Sequence, residues 1–187
     1  MMKKTTALVP IVMYLLCSCL SPQDINLSND EAINSIESSL ELQKEFLLGK
    51  RMIKEIQVSG KIEQKEFVID SNFFKQELEI LHGKKLSQIF QPTAYNKTIN
   101  GNVIRYDRKI GEKMGPQLLK ITKYSSESIR TISIEEYSEN LLFSLNKQSS
   151  FLFNEERILE SYSIESSQKI IGLEASNHFV KGKIIQD

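Results

Sequence analysis

The hydrophobic period changes once along this chain, near residue 53, and that change sets the class of fold open to it. Upstream, "SNDEAINSIESSLELQKEFLLG" repeats its apolar residues at helical spacing. Ile33, Ile36, Leu40 and Leu47 share one face, with Ala32 and Phe46 beside it. Ser28 followed by Glu31 makes a capping-box pattern, and Asp30 and Glu31 suit the positive end of a helix dipole. Gly49 can take the left-handed conformation that stops a helix. The expectation is a helix over 29–48, either packed on its own sheet or free as a lid or partner-binding element.

Downstream the period is 2. "IQVSGKI", "FFKQELEILHG", "NKTINGNVIRY", "LLKITKY", "IRTISIEEY", "LLFSLNK", "FLF", "ILESYSI", "KIIGLEA" and "HFVKGKII" are short and rich in β-branched or aromatic residues. The polar runs "SSES", "SEN", "KQSS", "NEER" and "ESSQ" read as turns between them, and Asn100-Gly101 marks a tight hairpin. Pro92 argues against a central strand in "KKLSQIFQPTAYNKT", which reads as a loop or a short helical turn. No helical stretch is long enough for βαβ crossovers. The expected fold class is therefore α+β, mainly β. An N-terminal amphipathic helix packs on an antiparallel meander of roughly eight to ten strands, able to curl into a half-barrel.

The alternation is broken by apolar doublets: Phe73-Phe74, Leu118-Leu119, Leu141-Leu142, Ile170-Ile171 and Ile184-Ile185. They send apolar side chains to both faces. Either the helix, a loop or the curl of the sheet covers the second face, or that face lines a concave cavity for a lipid or acyl chain. Phe73, Phe74 and Leu142 are the candidate lining residues for such a cavity.

The N-terminus bears on location. Lys3 and Lys4 precede the apolar run "TTALVPIVMYLL". As a helix that run would span about 18 Å, well short of a hydrocarbon core of about 30 Å. A charged start, a short apolar middle and small residues at the end describe an export signal. Both cysteines of the chain, Cys17 and Cys19, fall at its end. Leu16-Cys17-Ser18-Cys19 resembles the lipobox of bacterial lipoproteins, in the looser form found in spirochaetes. That resemblance implies cleavage before Cys19 and a covalent lipid on its thiol. Residues 1–18 would then be a lipoprotein signal peptide, 19–27 a lipidated tether, and 28–187 one helix-plus-antiparallel-sheet domain. The mature chain would keep neither a disulfide nor a free thiolate.

Charge and side-chain chemistry exclude more than they assign. Lys plus Arg and Asp plus Glu are 24 each, so nothing favours nucleic acid, and no polybasic cluster favours anionic lipid heads. His82 and His178 are far apart and neither has metal-ligand spacing to another His or Cys. Phosphate-loop, dinucleotide and nucleophile-elbow motifs are absent. "IRYDRK" reads as a surface ion-pair ladder. No metal and no cofactor beyond the covalent lipid on Cys19 is expected, and no catalytic residue. A helix leading into "VSGKIEQKEF" and then "NGNVIRYD" is similar in layout to the LolA/LolB-like lipoprotein carriers, which curl a half-barrel around an apolar cavity. The expected function is a membrane-anchored, non-enzymatic lipoprotein that binds a protein partner at the cell envelope, with the outer membrane favoured. A lipid or lipoprotein carrier is the alternative.

Overall fold

The computed structural model describes residues 30–58, 60–78, 86–125 and 128–185. The stretch expected to be an export signal, Cys17, Cys19, the expected tether, Ser28 and His82 lie outside the described residues.

Helix α1 runs Glu31–Leu47. Its N-cap is Asp30, whose carboxylate accepts from the Ala32 amide at 3.1 Å. The expected stripe is the buried one: Ile33, Ile36, Leu40 and Leu47 are all fully inside. Burial of each contributes about 1.5–3 kcal/mol. Phe46, expected beside the stripe, is exposed. A polar residue completes the buried face. Gln43 Nε2 donates to the Ser39 carbonyl at 2.8 Å and the Arg157 carbonyl at 2.7 Å, and its Oε1 accepts from the Leu159 amide at 2.8 Å. These bonds fasten the helix to a turn more than a hundred residues away. Gly49 follows α1 at φ +83°, as its place in the sequence suggests.

The strands are β1 (Arg51–Val58), β2 (Lys61–Val68), β3 (Tyr95–Asn100), β4 (Val103–Arg108), β5 (Leu118–Lys123), β6 (Ile129–Glu139), β7 (Phe143–Phe153), β8 (Leu159–Ile170) and β9 (Ser176–Ile184). They form one antiparallel sheet in the order β2-β1-β9-β8-β7-β6-β5-β4-β3. The sheet is an open half-barrel: β2 and β3 stand at its two edges and do not pair. Its continuity depends on β1 joining β9, with Met52 opposite Ile184 and Ile56 opposite Val180. Across the concave face one row runs Ile104, Ile121, Ile132, Phe151, Tyr162, Gly182. Helix α1 lies over this apolar floor together with two short helices, α2 (Ser71–Gln76) and α3 (Leu86–Ile89).

Three stretches differ from the sequence expectation. Residues 73–76, expected as the start of a strand, fall within α2, because the Asp70 carboxylate caps the amides of Asn72 at 2.9 Å and Phe73 at 3.1 Å. The polar runs "KQSS" and "ESSQ", expected as turns, lie inside the two longest hairpin partners and oppose each other, with Lys147 against Ser166 and Gln148 against Glu165. "LLFSLNK" and "FLF" are consequently one strand, β7. "KIIGLEA" ends β8 and turns at Gly172 instead of forming a strand of its own.

Candidate binding groove

The concave side of the β1–β2 hairpin and helix α2 bound a groove of about 510 Å³. Antiparallel register sets its strand wall: Lys54 opposes Lys65, Ile56 opposes Glu63, and Met52 opposes Phe67. The helix wall carries Phe73 and Gln76, followed by Glu77 at the C-cap.

Lys54 and Lys65 face each other with like charge, and the conflict is relieved by Glu77, whose Oε1 takes the Lys54 ammonium. Both partners are largely shielded, with side chains 20% and 14% exposed. The second Glu77 oxygen accepts from the Tyr162 hydroxyl at 2.9 Å. Burial first, and the adjacent Glu77 carboxylate second, push the Tyr162 phenol well above its ordinary range. It is held as a hydrogen-bond donor and cannot serve as a base near neutral pH. The ring fits only because residue 182 is glycine. A Cβ there would stand 2.1 Å from Tyr162 Cε1. Phe73 lies against the same ring, with centroids 6.0 Å apart, and against Phe67 and Phe74 at 6.4 and 5.3 Å.

The groove therefore has a fixed aromatic base, an internally satisfied ion pair, and a rim where Glu63 and Lys65 remain in solvent. Among the described residues its lining contains no serine, cysteine or histidine. What the arrangement can do is hold an extended segment that brings an apolar side chain and charges of either sign.

The residues singled out in the sequence are scattered. Phe73 and Phe74 are both buried on α2, packed into the core. Leu142 is 66% exposed at the β6–β7 turn, so the three expected to share a cavity do not meet. His178 lies on β9 with its Nε2 2.9 Å from Ser176 Oγ. Among the described residues no group of three or more His, Cys, Asp or Glu could hold a metal ion. In "IRYDRK", Arg105 donates to both oxygens of Asp107 at 2.7–2.9 Å on the exposed surface, the ion pair expected there. Lys54, Glu77, Tyr162 and Gly182 were missed. The only local signal was a glycine inside the strand pattern "HFVKGKII", which marks a close approach.

No protein-family model matches the chain, and no curated protein matches it. Among solved structures, the S-type phycobiliprotein lyase CPES from Guillardia theta aligns over 82% of this chain and 96% of its own, at 13% identity and a TM-score of 0.31. A likeness that loose assigns neither an activity nor a ligand to this chain.

Proposed function

We propose that this chain is a lipid-anchored, non-enzymatic envelope protein that binds an extended segment of a protein partner in the groove between β1–β2 and α2. The observation that carries the reading is the filling of the concave face. The aromatic side chains expected to line an acyl cavity, Phe73 and Phe74, are buried and packed together, and the groove that Phe73 borders is amphipathic and carries both charge signs. Main-chain groups of the unpaired edge strand β2 border that groove and add a route for strand-wise binding. The anchor rests on the lipobox resemblance at Cys19.

A photo-crosslinking residue at Glu63 or Gln76, in cells, should give a discrete protein adduct, and Ile56→Lys should abolish it while the circular dichroism spectrum is kept. Adducts equal to those from exposed Gln88 would remove the groove reading. Saturable binding of a fluorescent acyl probe by the unmutated protein would favour the carrier. Separately, Cys19→Ala should abolish fatty-acid labelling and Cys17→Ala should leave it intact.

A further inference from the structure

Successive antiparallel strands place the β4–β5, β6–β7 and β8–β9 connections at one end of the sheet. Each carries a pair of large aliphatic or thioether side chains in solvent: Ile110 and Met114, Leu141 and Leu142, Ile171 and Leu173. All six are at least 63% exposed. Hydrogen bonds hold these tips in place. Asn140 Oδ1 accepts from the amides of Leu142 and Phe143 at 2.9 and 3.0 Å. The Ile171 amide donates to the Leu142 carbonyl at 2.9 Å, tying two tips together. In the third, the Tyr95 hydroxyl donates to the Pro116 carbonyl at 2.8 Å and Arg108 Nη1 to the Gly115 carbonyl at 2.7 Å. The apolar side chains are thus presented by ordered turns.

We propose that these three tips dip into the surface of a lipid bilayer. The inference rests on the anchor reading above for the bilayer's proximity. The direction of the chain supports it. Asp30, where the described chain begins, is held by Lys97 at 2.9 Å, two residues from the Tyr95 end of β3, and that end faces the tips. The other end of α1 is fastened to the β7–β8 turn at the opposite end of the sheet. The described chain therefore begins on the tip side. From Cys19 to Asp30 an extended chain reaches at most about 40 Å. Ser149 shares a sheet row with Lys97, and Leu142 lies about 23 Å beyond it along β7 at strand rise. A lipid on Cys19 brings the bilayer within reach of all three tips.

The chemistry of the tips fits a fluid apolar phase better than a folded partner. Protein hot spots concentrate aromatic and arginine anchors in one packed patch. Here the anchors are aliphatic, on separate projections, and a bilayer conforms to such points without filling the gaps between them. At these connections Lys109, Lys113 and Lys169 are matched in number by Glu112, Glu139 and Glu174, so the contact has no net sign and should be insensitive to anionic lipid.

The chain has no tryptophan, so single probes are available. Met114→Trp, Leu142→Trp and Leu173→Trp would be introduced into the full chain, with Leu48→Trp, exposed at the opposite end, as control. Each protein would be reconstituted in phosphatidylcholine vesicles, with and without phosphatidylglycerol. Tip probes should emit blue-shifted, be quenched by brominated lipid and resist aqueous iodide, equally in both vesicles. The control should show the reverse. Fatty-acid labelling of the same preparations separates the two readings. Labelled protein whose tips are quenched only by iodide overturns the tip contact and keeps the anchor. Unlabelled protein whose tips are still quenched by brominated lipid keeps the contact and removes the anchor. Unlabelled protein with iodide-quenched tips removes both.

Discussion

Gly182 decides how Tyr162 sits, and Tyr162 in turn bridges the sheet to α2 through Glu77. Gly182→Ala places a methyl 2.1 Å from an aromatic carbon that cannot rotate away, because Phe73 and Phe151 pack against the ring. Overpacking of this kind costs about 1–3 kcal/mol, so a fall in Tm of about 2–12 °C is expected by thermal denaturation of a domain this size. Gly182→Ala combined with Tyr162→Leu should melt closer to Tyr162→Leu alone than the two separate losses would give. Strict additivity would show that the glycine serves some other purpose. None of this was legible beforehand. Tyr162 and Glu77 are 85 positions apart, and a lone glycine between two lysines says only that something comes close. Ser149 makes the same point from the polar side. It is fully buried on β7 with its hydroxyl unpaired among the described residues, where the run "KQSS" had pointed to a solvated turn.

Helix α1 was legible because one period governs seventeen residues and Gly49 marks its end, although its cap is Asp30 and not the Ser28 of the capping-box pattern. Helix α2 was not. Its six residues span less than two turns, so the spacing of Phe74 and Leu78 fits strand alternation as well as a helical face, and only the Asp70 cap distinguishes the two. The middles of β7 and β8 were misread because polar residues there are half-buried or exposed within continuous strands, apart from the buried Ser149, so the polar runs look like turns. The N-cap of α1 carries a pH prediction. Burial by itself would raise the Asp30 pKa, but Lys97 donating to both oxygens, the neighbouring Tyr106 hydroxyl and the Ala32 amide outweigh it and leave it below the ordinary 3.8. A depressed carboxyl contributes stability that is present above its unfolded pKa and is lost as pH falls through the folded value. Asp30→Asn keeps a competent cap while removing the charge. The wild type should melt above Asp30→Asn at pH 7, by a margin worth less than about 1 kcal/mol since Lys97 is one-third exposed. That margin should shrink to nothing as the pH drops below 3.8. A gap that stays constant down to pH 2.5 (about one unit below the ordinary carboxyl value) would mean that the charge on Asp30 does no work in the fold.

At the scale of the molecule, the meander was readable from the turns, but the partnership of first and last strands was not. Local signals such as Asn100-Gly101 specify hairpins, and every other pairing in the sheet joins strands consecutive in the chain. Only β1 with β9 spans the whole domain, and it places Met52 beside Ile184 and Lys54, which lines the groove, beside Gly182. That pairing also recruits the β1–β2 hairpin, which would otherwise be a two-stranded ribbon of marginal stability. The groove thus exists only when the last strand is in place, whereas the apolar tips on β4–β5 and β6–β7 belong to hairpins that close locally. Ending the chain at Ala175 removes β9 and should abolish the groove. Crosslinking from Glu63 should disappear, and the cooperative melting transition should broaden or vanish because Tyr162 and Met52 lose their neighbours. Ending it after Ile185 keeps all nine strands and should leave both intact. If the chain ending at Ala175 still melts cooperatively within a few degrees of the full chain (the shift expected from roughly 1 kcal/mol), the β1–β9 junction is an accessory, and the first hairpin holds to the core through α1 and α2 alone.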